Sequence, residues 1–238
     1  MGSRLLLLSD LHLPNTASPL REAFLRFLSG PARGAAAVYI LGDLFEYWIG
    51  DDVGLREYAA ETAALRALTD GGARVLLMHG NRDFMVGQRF AAATGVELLH
   101  DPLRLDLCGQ PTVLSHGDLW CTEDHAYQRW RRLSRNPLGQ ALYLLLPVSL
   151  RLSVARQARA GGRRKSMAIT DVSESAVRAA FAAHGVDRII HGHTHRPAEH
   201  DYQLEGSPRR RIVLADWRPG RMEYLECAGH DWRRVAVA

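Results

Sequence analysis

Five short apolar runs, each followed within a few residues by metal-binding side chains, constrain the fold of this chain more than any other feature. The runs lie at Leu5–Leu8, Val38–Leu41, Val75–Met78, Val113–Leu114 and Ile189–Ile190. The side chains that follow them are Asp10, His12, Asp43, Asn81, His116, His193 and His195. Continuous short apolar runs indicate strands buried on both faces. Because open α/β sheets bind ligands beyond such strand ends, we predict an α/β fold in which five strand ends share one site.

The residue types at these strand ends indicate the chemistry of that site. Carboxylate, amide and imidazole groups together suit two divalent cations that share one carboxylate, and such pairs of ions are a common device for attacking phosphate esters. Each motif by itself is weak, because Asp-x-His is frequent by chance and Gly-Asp after a strand usually forms only a turn. The ordered set of five is far less common, and we therefore interpret it as a metal site.

Composition limits the class of protein. The chain has 238 residues and 47% apolar content, which fits one domain or one domain with an insertion. Its cysteines, Cys108, Cys121 and Cys227, are odd in number and far apart, so we predict no disulfide framework and a reducing cytosol. The apolar stretch from Leu138 to Leu152 is interrupted by polar residues. A membrane-spanning helix needs roughly 20 apolar residues, so we expect none, and Leu5–Leu8 is too short for a signal peptide.

The charge is distributed unevenly along the chain. From His125 to Thr170 there are ten basic residues and no acidic ones, which leaves 20 basic and 26 acidic residues elsewhere. Such a segment favours a phosphate-rich partner, either a nucleic acid, a nucleotide or an anionic membrane, over the alternative of a solvated helix face. Lys165 is the only lysine beside 29 arginines. Its presence indicates either a compact ammonium that contacts phosphate or an ordinary surface charge.

The remaining pattern organises the chain into alternating strands and helices with one interruption. Helices are predicted at Pro19–Leu28, Leu55–Leu68 and Gly87–Thr94, and a further helix is predicted to start within Asp171–Glu174 and to run to Ala183. The segment from Asp124 to Lys165 is predicted as a helical insertion, broken at Asn136-Pro137 and at Pro147, that covers the site. Strands are predicted at Asp201–Leu204, Arg211–Ala215, Met222–Cys227 and Trp232–Val237, and the turn Arg218-Pro219-Gly220-Arg221 indicates a hairpin.

Longer strings around these motifs carry a resemblance to a known family. They are Ser9–Leu13, Gly42–Asp52, His79–Phe84, Cys121–Asp124 and His191–Pro197. Over nearly its whole length the chain resembles the calcineurin-like metallophosphoesterases, and among them the UDP-2,3-diacylglucosamine pyrophosphatases of the lipid A pathway. The resemblance implies a sandwich of two mixed β-sheets flanked by helices. It also implies one domain over residues 1–238, with a helical cap at about 124–165.

The resemblance also implies a ligand set for two divalent metal ions. One ion would take Asp10, His12 and His195. The other would take Asn81, His116 and His193, and Asp43 would bridge the two as a catalytic residue. Manganese is the family expectation, and mixed oxygen and imidazole ligands also suit Fe(II) or Zn(II). The other histidines, His191 included, are assigned structural or surface roles.

Arg82 occupies a position at which many relatives carry a histidine that assists an alkoxide leaving group. An arginine cannot act as an acid near neutral pH. A phosphomonoester leaving group needs little protonation, because its second pKa is about 6. We therefore predict that Arg82 is a catalytic residue that binds the diphosphate of the substrate, which favours pyrophosphate cleavage. The alternative is a structural ion pair with Asp83.

The remaining substrate contacts come from the resemblance alone. It assigns substrate binding to Asn81, Asp124, Lys165 and His193. Two further polar contacts of the family fall near Ala158 and Gly162, where no polar side chain is present, and they are not carried over.

The implied reaction is hydrolysis of UDP-2,3-diacylglucosamine to UMP and 2,3-diacylglucosamine 1-phosphate. Apolar residues of the cap would form a groove for the acyl chains, and its arginines would face anionic lipid at the cytoplasmic side of the inner membrane. One alternative is a phosphodiesterase or nuclease acting on a soluble substrate, and another is a non-catalytic binding module. The apolar segment Leu142–Leu146 argues against the nuclease, and the complete ligand set argues against the binding module.

Overall fold

Two mixed β-sheets are stacked face to face. The structure is a computed structural model that describes residues 4–162 and 171–237. The first sheet contains, in spatial order, β11 (Asp231–Ala236), β10 (Glu223–Ala228), β1 (Arg4–Leu8), β2 (Ala37–Ile40), β3 (Arg74–Met78) and β4 (Glu97–Leu99). The second contains β5 (Leu103–Leu107), β6 (Gln110–Ser115), β7 (Arg188–His191), β9 (Ser207–Val213) and β8 (Ala198–Leu204). Strands β1 to β4 are parallel, as are β6, β7 and β9, and the other strands pair antiparallel. The predicted two-sheet sandwich is confirmed.

The described part of the chain contains eight α-helices, and several of them begin at a residue whose side chain accepts hydrogen bonds from the first turn. They are α1 (Pro19–Ser29), α2 (Asp51–Glu57), α3 (Ala59–Asp70), α4 (Gln88–Thr94), α5 (His125–Ser134), α6 (Pro137–Leu144), α7 (Val148–Gly162) and α8 (Glu174–His184). The side chain of Ser18 accepts a hydrogen bond from the backbone N–H of Arg21, and Ser173 does the same for Ala176. These serines satisfy backbone donors that the first turn of a helix leaves free.

The buried side chains form layers that explain the continuous apolar runs. Leu6 and Leu8 pack with Phe24 and Phe27 of α1, whereas Leu7 between them points into the space between the two sheets. Val113 and Ile189 of the second sheet pack on its outer face with residues of α8. Because successive residues of a strand point to opposite faces, a strand covered on both sides needs apolar residues at every position.

The helix predicted over Leu55–Leu68 is divided at Tyr58. This residue has φ −115° and ψ 37°, which ends α2 and begins α3. Its side chain is fully buried, its hydroxyl donates to the carbonyl oxygen of Leu13 at 2.9 Å, and its ring lies 4.3 Å from that of Phe45. Tertiary packing of one tyrosine therefore overrides the helical pattern. The short strands β4 and β5 were not predicted.

The predicted hairpin around Pro219-Gly220 is wrong, although the turn itself forms. Arg218 and Arg221 exchange two backbone hydrogen bonds of 2.9 and 2.8 Å. The strands on either side lie in different sheets, because β9 pairs with β7 and β8 while β10 pairs with β1 and β11. The crossing occurs where the N–H of Trp217 donates to the carbonyl oxygen of Asp10 at 2.9 Å.

The prediction that the cysteines form no disulfide is also wrong for two of them. Cys108 follows β5 and Cys227 lies in β10, and the structure joins them in a disulfide with their Cα atoms 6.8 Å apart. They are 119 residues apart in the chain, so only the stacking of the two sheets brings them together. Cys121 is buried and takes part in no disulfide, and its Sγ lies 3.9 Å from the carbonyl oxygen of Gly117.

Three helices, α5 to α7, make up the cap, a name used here for residues 125–162. The breaks predicted at Asn136-Pro137 and at Pro147 are confirmed, and the side chain of Asn136 accepts from the N–H groups of Leu138 and Gly139 to begin α6. Throughout the part of the chain that the structure describes, no helix combines the length and the apolar character needed to cross a membrane.

Candidate metal centre

The seven side chains predicted as metal ligands converge at one edge of the stacked sheets. Asp10 and His12 follow β1, Asp43 follows β2 and Asn81 follows β3, all from the first sheet. His116 follows β6, and His193 and His195 follow β7, from the second sheet. Because these strands end at the same edge of the sandwich, both sheets contribute to the cluster.

Asp10, His12 and His195 form one group. The Oδ1 of Asp10 lies 3.5 Å from Nε2 of His195, which is 3.1 Å from Nε2 of His12. One potential ligand atom from each of the three residues lies within 4.8 Å of the others. This spacing suits one shared cation.

Asn81, His116 and His193 form a second group beside the first. The Oδ1 of Asn81 is 3.1 Å from Nε2 of His116 and 3.0 Å from Nδ1 of His193. Asp43 stands between the groups, with its Oδ2 at 3.9 Å from both Nδ1 of His12 and Nε2 of His116. The structure thus places one carboxylate oxygen between a nitrogen of each group.

The backbone of the site is held in unusual conformations. Five of the seven candidate ligands have positive φ angles between 47° and 67°, a region that residues with a side chain seldom adopt. They are Asp10, His12, Asp43, His193 and His195. Such conformations cost free energy, and they cluster at functional sites where the surroundings enforce them.

Glycines beside the ligands allow the strand ends to approach one another. A Cβ added at Gly80 would lie 2.0 Å from Oδ1 of Asp43, and one at Gly192 would lie 2.2 Å from Oδ2 of Asp10. A side chain at either position would therefore displace a candidate ligand. The absence of a side chain at these two glycines therefore permits the close approach of the strand ends.

Hydrogen bonds fix one oxygen of Asp10 and leave the other facing the cluster. Its Oδ2 accepts from the hydroxyl of Ser9 at 2.7 Å and from the N–H of His193 at 2.8 Å. Its Oδ1 is buried and has no hydrogen-bond partner, and the same is true of Nδ1 of His12. Buried polar atoms are normally satisfied, so these two atoms fit a cation as the missing partner.

The protonation of the cluster reflects its burial. Burial raises the pKa of Asp43 to about 7, against the opposing charge of His116. Burial lowers the pKa of His12 to about 3 and that of His193 to about 4. For His116 the carboxylates of Asp43 and Asp10 outweigh burial and raise the pKa to about 9. Carboxylates this deeply buried need positive charge nearby, and divalent cations supply it.

Arg82 does not pair with Asp83, so that alternative is wrong. Asp83 is fully buried and accepts hydrogen bonds from the backbone N–H groups of Gly80, Asp43 and Leu44 at 2.8, 3.3 and 2.7 Å. The backbone N–H of Arg82 donates to Oδ1 of Asp43 at 2.7 Å. Its side chain is half-buried, lines a cavity, and has a buried Nε without a partner.

A cavity of about 740 Å³ leads from the cluster into the cap. Asn81 and Arg82 line it on the side of the sheets. Apolar side chains dominate its other walls, and they are Trp48, Ile49, Phe84, Met85, Trp130, Leu133, Leu142, Leu152 and Val154. Cavities with mainly apolar walls and a few polar groups are typical ligand sites. Leu145 and Leu146, which the sequence grouped with Leu142, do not line it.

The other predicted contacts have different positions. Asp124 is buried at the start of α5, where its side chain accepts from the N–H of Tyr127 at 2.9 Å, and it does not line the large cavity. Lys165 lies outside the described residues. His191 is fully buried, with Nδ1 at 2.9 Å from the carbonyl oxygen of Gly192 and Nε2 at 3.4 Å from Arg211.

Two residues close to the cluster were missed in the sequence. Asp216 places its Oδ2 3.9 Å from Nδ1 of His195 and also contacts Arg221. Asp118 is fully buried two residues after His116. Its place in the string Ser115–Asp118 was the only local signal, and the string alone does not reveal the partners of its carboxylate.

The chain is similar to known phosphoesterases in sequence and in fold. A family model described as calcineurin-like phosphoesterase matches residues 3–197. A UDP-2,3-diacylglucosamine hydrolase of Pseudomonas paraeruginosa is 49% identical over 231 residues, which cover 94% of this chain and 96% of that relative. A protein of the same name from Azotobacter vinelandii is 49% identical over 94% of this chain and 95% of its own length. Among solved structures, an archaeal phosphodiesterase with 11% sequence identity has a TM-score of 0.51 over 98% of this chain and 99% of its own, and it supports the fold alone.

The stacked sheets and the ligand cluster define an α/β protein with a centre for divalent cations. Since the family model covers most of the chain and the relatives match at high coverage, the chain belongs to the calcineurin-like phosphoesterase family. Family membership and the clustered ligands together support divalent-metal binding.

Proposed function

We propose that this protein hydrolyses the diphosphate of UDP-2,3-diacylglucosamine and releases UMP and 2,3-diacylglucosamine 1-phosphate, a step of lipid A biosynthesis. Relatives named UDP-2,3-diacylglucosamine hydrolase match 94% of the chain at 49% identity. The observation that carries the proposal is that Asn81 of the ligand cluster and its neighbour Arg82 line the same apolar cavity as the cap residues. One cavity would therefore contain both the diphosphate and the acyl chains of the substrate.

The cofactor is proposed to be a pair of divalent cations, with manganese as the expected metal. One cation would be held by Asp10, His12 and His195. The other would be held by Asn81, His116 and His193. Asp43 would bind both cations. When bound, such ions lower the pKa of an attacking water and neutralise charge on the phosphoryl oxygens. The chain itself contributes rigidity, because Asp83 and the hydroxyl of Ser9 hold the ligand loops through short hydrogen bonds.

Arg82 is proposed to bind the diphosphate directly. Its guanidinium stays charged and offers donors in a planar fork that matches phosphate oxygens. The unpartnered Nε and the position on the cavity wall support this role. As negative charge builds up on the phosphoryl oxygens, a donor already in place stabilises it without further reorganisation. Asn81 and His193 would contact the same phosphates, and Asp124 and Lys165 remain proposed substrate contacts.

The acyl chains are proposed to occupy the apolar cavity under the cap. Leu133 and Leu142 of the cap and Trp48 and Phe84 of the loops below face this space. The cap would then be an insertion in a single domain over residues 1–238 that selects for acylated substrates. Leu145 is 80% exposed and belongs to the outer surface instead.

That outer surface is proposed to bind the cytoplasmic face of the inner membrane peripherally. Among the described residues, the nine exposed large apolar side chains all lie in the cap. Trp130, Leu133 and Leu142 line the cavity, and the other six, between Leu138 and Leu150, do not. Exposed apolar patches of this extent mark interaction sites. Among the cap side chains that the structure describes, the exposed arginines are Arg129, Arg132 and Arg156, and each would add attraction of about 1 kcal/mol to anionic lipid.

Three other cap arginines are bound within the protein rather than facing lipid. Arg131 and Arg135 form ion pairs with Asp118, and Arg151 does so with Asp52 at 2.5 Å. The expectation that the arginines of this segment all face a phosphate-rich partner is therefore wrong for these three.

A substrate panel tests the proposed function. The metal-loaded protein is assayed on UDP-2,3-diacylglucosamine, the same UDP-sugar without acyl chains, single-stranded DNA and bis(p-nitrophenyl) phosphate. We expect the highest kcat/KM for the acylated UDP-sugar. Higher kcat/KM on DNA would assign the protein to the nucleases, and equal values for both UDP-sugars would remove the acyl chains from the proposal.

The site of attack is tested with isotopic water. In oxygen-18 water the label is expected in UMP, because the proposed attack is on the phosphorus attached to uridine. Label in the sugar phosphate would place the attack on the other phosphorus and overturn the proposed orientation of the substrate.

A further inference from the structure

Asp118 is a buried carboxylate with no part in the reaction as proposed above. It lies in a short 3-10 helix, Asp118–Trp120, that directly follows the loop carrying His116. Its Oδ2 accepts hydrogen bonds from the hydroxyl of Tyr127 and from Nε of Arg131, the latter at 2.9 Å, and Nη2 of Arg135 lies 3.6 Å away. One carboxylate oxygen therefore serves three side chains of the cap.

Tyr127 and Arg131 lie four residues apart on the first cap helix, α5, and Arg135 follows four residues later, directly after the last residue of the helix. Residues at this spacing share one face of a helix, so a single residue of the sheet region holds α5 along its whole length. Arg131 also reaches Asp101 at 3.3 Å, and Asp101 accepts from the hydroxyl of Ser115 at 2.7 Å. Arg135 donates to the carbonyl oxygen of Gly80 at 2.9 Å. Helix α5 is thus joined to the ends of the two strands that precede Asn81 and His116.

The hydrogen bond from the hydroxyl of Tyr127 connects Asp118 to the substrate cavity. The ring of Tyr127 stacks on that of His193, with centroids 6.1 Å apart and planes inclined by 25°. The same ring lines the cavity beside Asn81 and Arg82. A shift of α5 would therefore move a cavity wall that touches a candidate metal ligand.

We propose that Asp118 is a positioning residue that sets the first cap helix over the metal centre through Tyr127, Arg131 and Arg135. The inference rests on the proposed function, because it assigns to Asp118 the alignment of the acyl-binding wall with the diphosphate site. Substrates that need the cap depend on this alignment more than substrates that do not. Misplacing a bound group by about 1 Å can cost about 100-fold in rate.

The test compares Asp118→Asn with a matched control, Glu61→Gln. Glu61 of α3 is also a fully buried carboxylate, paired at 2.7 Å with Arg21 of α1, but both helices lie outside the cap and the metal centre. Both variants lose one buried charge, so both are expected to be less stable. Only Asp118→Asn is expected to lower kcat/KM for the acylated UDP-sugar, by about 10- to 100-fold, with a much smaller loss on the unacylated UDP-sugar and unchanged metal content.

Tyr127→Phe tests the positioning role with less risk to folding. It removes only the hydroxyl that donates to Asp118 and keeps the aromatic ring. It is expected to show part of the loss, and the double variant with Asp118→Asn is expected to lose less than the product of the two single losses. Full additivity of the two changes would contradict the proposed link. If Asp118→Asn does not fold, Arg131→Gln takes its place in the same cycle.

Hydrogen–deuterium exchange provides a readout that does not depend on any substrate. Amides of residues 125–134 are expected to exchange faster in Asp118→Asn than in Glu61→Gln. If the wild-type protein failed to hydrolyse the acylated UDP-sugar, the proposed function would be refuted. The exchange measurement would still test whether Asp118 holds α5. Unchanged exchange in α5, or equal losses on both UDP-sugars, would overturn the role of Asp118.

Discussion

The metal centre and the cap are built in opposite ways. In the metal centre, Asp10, Asp43 and His116 are at most 1% exposed, and most of the candidate ligands have strained backbones. In the cap, Leu145 is 80% exposed and Leu138 70%, and among its described residues Arg151 is the only charged side chain that is buried. The most deeply buried ligands of the centre are held by the ends of two sheets, whereas most of the described cap side chains are exposed or half-buried.

This difference separates two tasks. Reaction chemistry requires ligands held in one geometry, so it is placed where two sheets enforce that geometry. Selection of a lipid substrate requires a large apolar surface, and such a surface is placed on helices that leave the core of the sandwich undisturbed. The two regions meet at Tyr127, whose hydroxyl binds Asp118 and whose ring stacks on His193. Substitutions in the metal centre and substitutions in the cap should therefore alter different kinetic constants.

The largest effect is expected in the metal centre. Asp43→Ala removes the carboxylate that lies between the two ligand groups, and kcat/KM should fall by about 1,000-fold together with bound metal. Metal analysis and turnover measure this, with Asp106→Ala at an exposed site of β5 as the control. Wild-type turnover by Asp43→Ala, after chelation and addition of manganese, would exclude the bridging role.

A smaller effect is expected for substitution of Arg82, which lines the cavity beside the metal centre. Arg82→Lys keeps the charge but loses the planar fork of donors, and kcat/KM for the acylated UDP-sugar should fall by about 100-fold. Arg89→Lys, at an exposed position of α4, provides the control. If Arg82→Lys retained wild-type kcat/KM, the diphosphate would require only a positive charge at this position.

The cap should change substrate affinity and leave the chemistry intact. Leu142 lines the cavity and is 58% exposed, so Leu142→Ser forfeits about 1 kcal/mol of apolar contact and should raise KM for the acylated UDP-sugar about fivefold. Leu145→Ser makes the same change outside the cavity and should leave KM in detergent unchanged. Equal increases in KM for both variants, or increases on the unacylated UDP-sugar as well, would contradict the division between cavity and outer surface.

The smallest effect is expected at the outer surface of the cap. Arg132→Gln removes one exposed charge and should weaken binding to anionic vesicles by up to about fivefold at low salt. The loss should shrink as added salt screens the attraction. Sedimentation with vesicles measures the effect, and Arg66→Gln on α3 is the control. Binding that is insensitive to both salt and Arg132 would leave no support for an electrostatic contact with the membrane.

Local patterns in the sequence determined the parts of the fold that depend on neighbouring residues. Apolar runs such as Leu5–Leu8 specify strands, and Pro147 separates two helices of the cap. Both effects are conformational preferences that act over a few residues. The strand-end motifs also predicted which side chains gather at one edge, since parallel strands point their carboxyl ends the same way. Tyr58 shows the limit of such patterns, because its burial divides a helix that the pattern leaves continuous.

Only the tertiary structure decided which partners distant residues have. Cys108 and Cys227 meet because the sheets stack, although 119 residues separate them. Leu142 faces the cavity and Leu145 faces outward, although both belong to one apolar run. Arg131 binds a buried carboxylate while its neighbour Arg132 is exposed. Sequence patterns specify the type of side chain and its local backbone, whereas the direction and partner of that side chain depend on long-range packing.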